Sequence, residues 1–197
     1  MTRASRNTYL LPALLVAVVF LLYGRTLTFD FVNYDDYDLV LRNTDFLKDP
    51  GNILTSFSTH AFTSHRDEGV YYRPVLLLSY FADYALWGVD PVGFHLTNVL
   101  LHAGATVVLF LLIIGILAQV RNNGDGAPTS AGPSSAQSHF DGDRLTAYFA
   151  ALLFAVHPVQ TESVAWISGR NDVLLGLLLL GSFWCYVSQY RESTRRS

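Results

Sequence analysis

Cysteine is nearly absent: Cys185 stands alone among 197 residues. A single thiol excludes an intrachain disulfide framework and any Cys-rich zinc site. Charge is also scarce, at 15% of residues, against roughly 25% in an average soluble domain. A basic excess is missing: the net charge is -3 and the isoelectric point about 6.0. That excludes a generally basic nucleic-acid binder, so no nucleic-acid partner is expected. The polar, charge-rich composition of disorder is lacking too, since 51% of residues are hydrophobic and the mean hydropathy is +0.29. There is no phosphate-cradling glycine loop and no internal repeat.

What the sequence does have is four runs without Asp, Glu, Lys or Arg: Asn7–Gly24, Pro91–Val120, Leu145–Thr161 and Val173–Tyr190. A helix crossing the hydrocarbon core needs about 20 apolar residues. The second run meets this easily, and the fourth is almost entirely Leu, Gly and aromatics. The third is short, with Leu145–Val156 as its solid apolar part. The first could instead be a signal peptide behind Arg3 and Arg6. No small-x-small cleavage pattern follows it, which favours a retained span.

The expected fold is an all-α membrane protein, a single module over 1–197. Spans are expected at about 8–24, 94–120, 145–158 and 172–190. Arg3 and Arg6 precede the first span, and Arg191, Arg195 and Arg196 follow the last. The positive-inside rule then places both termini in the cytoplasm. Residues 25–92 become a long extracytoplasmic loop containing short interfacial helices. Residues 121–144, rich in Gly, Ser, Pro, Asn and Ala, read as a flexible cytoplasmic linker. Pro74–Trp87 reads either as an interfacial or re-entrant helix or as a small core helix of the external loop, and Pro74 suits its first turn.

Chemistry-bearing residues gather on the extracytoplasmic side. Asp35 and Asp36 follow the first span by about a dozen residues, within Phe31–Asp38. A carboxylate pair can act as a general base or hold a divalent metal; a solvated acidic turn is the plain alternative. Tyr71-Tyr72-Arg73-Pro74 offers a cation flanked by aromatics, suited to bidentate phosphate binding or to snorkelling towards headgroups. His95, Asn98 and His102 share one helical face, where interhelical hydrogen bonding is the simplest reading. The densest cluster runs from His157 to Asp172 at the mouth of the third and fourth spans. It holds Glu162 and Arg170, with Asn171 and Asp172 placed to cap the fourth helix.

The ordered set Phe31-Val32-Asn33-Tyr34-Asp35-Asp36, Tyr72-Arg73-Pro74, Phe94-His95-Leu96-Thr97-Asn98 with His102, His157-Pro158-Val159-Gln160-Thr161-Glu162 and Ser168-Gly169-Arg170-Asn171-Asp172 resembles the N-terminal part of the transmembrane-and-tetratricopeptide-repeat O-mannosyltransferases. It is also similar to their bacterial relatives. The similarity covers about Phe29–Leu180, interrupted by the linker.

The resemblance implies a membrane glycosyltransferase of the GT-C type. Such an enzyme moves a sugar, mannose for this family, from a polyprenyl-phosphate donor to a protein or glycan hydroxyl outside the cytoplasm. It implies Asp35 and Asp36 as the catalytic acidic motif, and as metal ligands if a divalent metal takes part. It implies Arg73 as the contact to the donor phosphate, and Arg170, a cation at the external mouth of the spans, is a further candidate for that contact. His157, Glu162 and His102 are further substrate-site candidates. No cofactor is implied with certainty. The implied location is a multi-pass position in the plasma membrane of a bacterium or the endoplasmic reticulum of a eukaryote. The family has more spans and C-terminal helical repeats, whereas this sequence stops just after its fourth span. The alternative expectation is therefore a catalytically incomplete scaffold, or the partner subunit of a split glycosyltransferase.

Overall fold

A computed structural model of the chain describes residues 3–62, 71–124 and 133–196. All regular structure among them is helical. The principal helices are α1 (Arg3–Tyr23), α2 (Thr44–Lys48), α3 (Asn52–Thr55), α4 (Pro74–Trp87), α5 (Pro91–Gly124), α6 (Pro133–Val156), α7 (Gln160–Ala165) and α8 (Arg170–Arg196). Three stretches are long and apolar enough to cross a membrane: Tyr9–Thr28, Pro91–Arg121 and Ile167–Tyr190. The chain is an all-α membrane protein.

The run expected as the third span lies in α6 and does not meet that measure among the described residues. Helix also occupies both ends of the segment read as a linker. α5 continues to Gly124 and α6 starts at Pro133. Arg121 of α5 and Asp143 of α6 form an ion pair at 2.6 Å. The linker residues 125–132 lie outside the described residues.

The chain divides into two compact units. One comprises Met1–Phe20, His102–Pro158 and Leu175–Ser197. Its buried cluster joins Leu15, Phe110, Ala147 and Ala151. Ala147, Ala151 and Ala155 recur every fourth residue and are fully buried. That small-residue stripe lets neighbouring helices approach α6 closely.

The other unit comprises Leu21–Leu101 and Val159–Leu174. Leu39, Val40, Leu47, Ala61, Leu76, Tyr80, Phe81, Phe94 and Ile167 form its core. α4 supplies three of these side chains. Its Pro74 occupies the first turn, where a missing N–H costs nothing. Gly88 ends it at φ 63°, a conformation open to glycine and strained for other residues. Its N–H closes the helix on Tyr84 O at 2.8 Å. At 14 residues α4 rises about 21 Å, and its buried face makes it a core helix of this unit.

Candidate functional site

Asp35 and Asp36 are adjacent in sequence and opposite in surroundings. The chain turns tightly here: Tyr34 N–H donates to Val32 O at 2.7 Å, and Tyr37 N–H to Tyr34 O at 3.1 Å. Phe31 anchors the turn by packing edge-on against Phe94, with ring centroids 5.6 Å apart. The turn drives Asp36 into the core, where it is fully buried. Its Oδ2 accepts from Val32 N–H at 3.0 Å. Its Oδ1 accepts from Ser168 N–H at 2.9 Å and from the Ser168 hydroxyl. Both carboxylate oxygens are therefore occupied by protein donors.

Asp35 stays half-buried. It takes no hydrogen bond among the described residues. Partial burial raises its pKa above the usual carboxylate value; the charges of Asp36 and Asp38 add to that, and Arg73 opposes them. The Arg73 guanidinium lies 4.8 Å from the Tyr71 ring centroid. Among the described residues it has no hydrogen-bond or ion-pair partner. A carboxylate biased towards taking a proton and a cation open to a ligand thus act on each other in one unit.

Arg170 has a different setting. It opens α8 yet is fully buried. Its Nη2 lies 2.6 Å from Asp83 Oδ2 and donates to Phe94 O at 2.8 Å. Its Nε donates to Asn98 Oδ1 at 2.7 Å, and Nη1 to Ser79 Oγ at 3.2 Å. The guanidinium sits 4.7 Å from the Tyr80 ring centroid, a desolvated cation–π contact. Asn98 Nδ2 donates in turn to Trp166 O at 2.8 Å. The Tyr80 hydroxyl donates to Ile167 O at 3.2 Å. Asp83 Oδ1 accepts from the Thr97 hydroxyl at 2.7 Å. Burial nevertheless raises the Asp83 pKa, against the pull of Arg170 and Thr97. Every nitrogen of this guanidinium is engaged by protein, so the expectation that Arg170 contacts donor phosphate meets an occupied cation.

The remaining expected residues divide. Glu162 is exposed on α7 in the unit that holds Asp35. His157 and His102 belong to the other unit. His157 is exposed there. His102 is buried, with Nε2 3.2 Å from Ala155 O and its ring packed on Phe154 at 5.4 Å. Among the described residues no group of three or more His, Cys, Asp or Glu side chains converges to hold a metal. The acidic pair offers only the oxygens of Asp35, because those of Asp36 are taken. Sequence reasoning gave no role to two participants, Asp83 and Ser168. A lone acid inside the apolar run Pro74–Trp87 is the signal that could have found Asp83; Ser168 stands in the quoted motif, but nothing local shows that its partner is Asp36.

The chain is 32% identical over 188 residues to human "Protein O-mannosyl-transferase TMTC4", covering 91% of this chain and 23% of that protein. Human TMTC2 is 34% identical over 168 residues, 84% of this chain and 17% of its own length. Mouse TMTC1 is 36% identical over 183 residues, 88% of this chain and 16% of its own. The chain is a homologue of the TMTC protein O-mannosyl-transferases. It spans about a fifth of the length of these TMTC relatives. No family model matches it, and no solved structure does.

Proposed function

We propose that this chain carries the catalytic acidic motif of an O-mannosyltransferase. The donor in this reading is a polyprenyl-phosphate mannose, and the acceptor a protein or glycan hydroxyl on the extracytoplasmic side. The names of the TMTC relatives support the mannosyl-transfer chemistry. The observation that carries the assignment of roles is the contrast between the two acids. Asp35 is half-buried, without a hydrogen-bond donor among the described residues, and within electrostatic reach of Arg73. Asp36 is buried and saturated.

In this reading the acceptor oxygen attacks the anomeric carbon as the bond from that carbon to the phosphate oxygen breaks. Asp35 takes the hydroxyl proton, and polyprenyl phosphate leaves with the electron pair of the broken bond. Arg73 stabilises the phosphate charge that grows in the transition state, the position where a fixed cation contributes most. Asp36 and Arg170 hold the surrounding backbone in place. Glu162 lies in the same unit and is a candidate for acceptor contact.

The test is kinetic, with labelled polyprenyl-phosphate mannose and inserted chain. Arg73→Gln should raise KM for the donor and lower kcat, because a phosphate contact acts in both states and strengthens as charge develops. Unaltered donor dependence in Arg73→Gln would remove Arg73 from the site. The alternative reading is a catalytically incomplete scaffold or partner subunit. It predicts donor binding at most, and co-purification with a second membrane subunit.

A further inference from the structure

Ser168 belongs to the cluster His157–Asp172, yet the reaction outlined above gives it no role. Its N–H and hydroxyl both donate to Asp36 Oδ1. The two residues lie 132 positions apart in sequence, so this contact ties the acidic turn after α1 to the turn before α8. The tie is rigid on the Ser168 side. Ile167, Ser168 and Gly169 are all buried in one 3-10 turn. Ile167 O is held by the Tyr80 hydroxyl, and Trp166 O by Asn98. The next residue, Arg170, is fixed by Asp83, Asn98, Phe94 and Ser79. At Gly169 an added Cβ would stand 2.8 Å from Glu162 O and 2.9 Å from Ser163 Cα, so the turn is also packed against backbone.

On the other side, Asp36 is the immediate neighbour of Asp35 and has no solvent exposure. Its only other hydrogen bond among the described residues comes from Val32 N–H, inside its own turn. Remove the Ser168 hydroxyl and the carboxylate loses one of its two contacts to the rest of the unit. We infer that Ser168 is a positioning residue: acting through Asp36, it sets where the Asp35 carboxylate stands and what charge it faces. The inference rests on Asp35 being the reactive acid. The geometry beneath it, a serine clamp on the neighbouring carboxylate, does not depend on which sugar or acceptor is used. The charge of Asp36 is, after burial, one of the causes that lift the Asp35 pKa, so a displaced Asp36 changes the charge that Asp35 faces as well as its position.

Two readouts separate the clamp from the proposed reaction. The first is carbodiimide–amine labelling of Asp35 across a pH series in the inserted full chain, located by peptide mass spectrometry. It reports the carboxyl's protonation without requiring transfer. The second is transfer from labelled polyprenyl-phosphate mannose. Ser168→Ala and Ser168→Gly keep the backbone N–H and lose the hydroxyl; Ser168→Thr keeps both. Asp36→Asn is the reference for loss of the neighbouring charge. The expected result is a labelling curve for Ala and Gly displaced from that of wild type, with Thr restored to wild type. In the transfer assay kcat should fall by about tenfold or more, the range of one hydrogen bond to a charged group, with KM for the donor held within about twofold. An Asp35 labelling curve that moves in Asp36→Asn but not in either hydroxyl-free variant would overturn the clamp and leave the role of Asp35 standing. If the inserted wild-type chain transfers nothing, the proposed reaction fails. The labelling curves then decide the clamp alone.

Discussion

Replacing Arg170 with Met should be the most damaging single change in the unit that holds the acidic turn. Met keeps an unbranched apolar side chain of similar length and removes the charge. The change breaks the 2.6 Å pair with Asp83 and the bonds to Asn98 Oδ1 and Phe94 O. Removing one partner of a buried pair costs about 3–5 kcal/mol, because the other charge stays buried without compensation. Loss of the Tyr80 cation–π contact adds to this, though not as an independent increment. At roughly 2–4 °C per kcal/mol for a chain of this size, the expected fall in Tm is about 6–20 °C. The assay is thermal unfolding of detergent-solubilised protein.

Two companions sharpen the reasoning. Asp83→Asn in the Arg170→Met background removes the orphaned charge and should recover a large part of the loss. Acidification should do the same by chemistry. The folded-state pKa of Asp83 is already raised by burial. A carboxyl with a raised pKa contributes stability that is present below its unfolded pKa and is lost as pH rises through the folded one. Removing Arg170 takes away the chief opposing influence, so the deficit of the single variant should shrink as pH falls. A Tm within about 2 °C of wild type at neutral pH would refute the view of Arg170 as the structural centre of this unit. So would a double variant no more stable than the single one.

Two further outcomes follow from the same geometry. Gly169→Ala places a Cβ 2.8 Å from Glu162 O and 3.0 Å from Ser163 O; backbone cannot yield as a side-chain tip can, so a loss of about 1–3 kcal/mol is expected in the same thermal assay. Transfer should fall on acidification, because the base must be ionised and the Asp35 pKa is raised; the acid limb of the pH–rate profile should therefore lie above the usual carboxylate value of about 4, and a limb at or below that value would count against Asp35 as the base.

The helical, membrane-bound character of the chain was legible because hydropathy acts locally along a segment. Three of the four apolar runs correspond to stretches long and apolar enough to cross a membrane among the described residues; the other lies in α6. The acidic motif could be located but not resolved into its two members. Asp35 and Asp36 have identical side chains, and what separates them is a partner at Ser168, 132 residues away. Arg170 illustrates the same limit. An arginine at the mouth of a span suggests an anion site, and only the folded arrangement of Asp83, Asn98 and Phe94 shows that its donors are engaged. Arg73 lies beside its aromatic neighbour in sequence, so a local pattern was enough to find it. His102, grouped with His95 and Asn98 by helical periodicity, belongs to the other unit; periodicity assigns a face, and not the depth along the helix at which a partner is met.

The most direct test of the account is mannose transfer by membranes containing this chain and its Asp35→Asn variant, with insertion matched beforehand. A general base contributes about a hundredfold or more, so the account predicts that the variant loses at least that factor while binding the donor as before. Transfer by well-inserted Asp35→Asn within about threefold of wild type, far short of that contribution, would contradict it. So would a correctly inserted wild-type chain that transfers nothing, the result the scaffold reading expects.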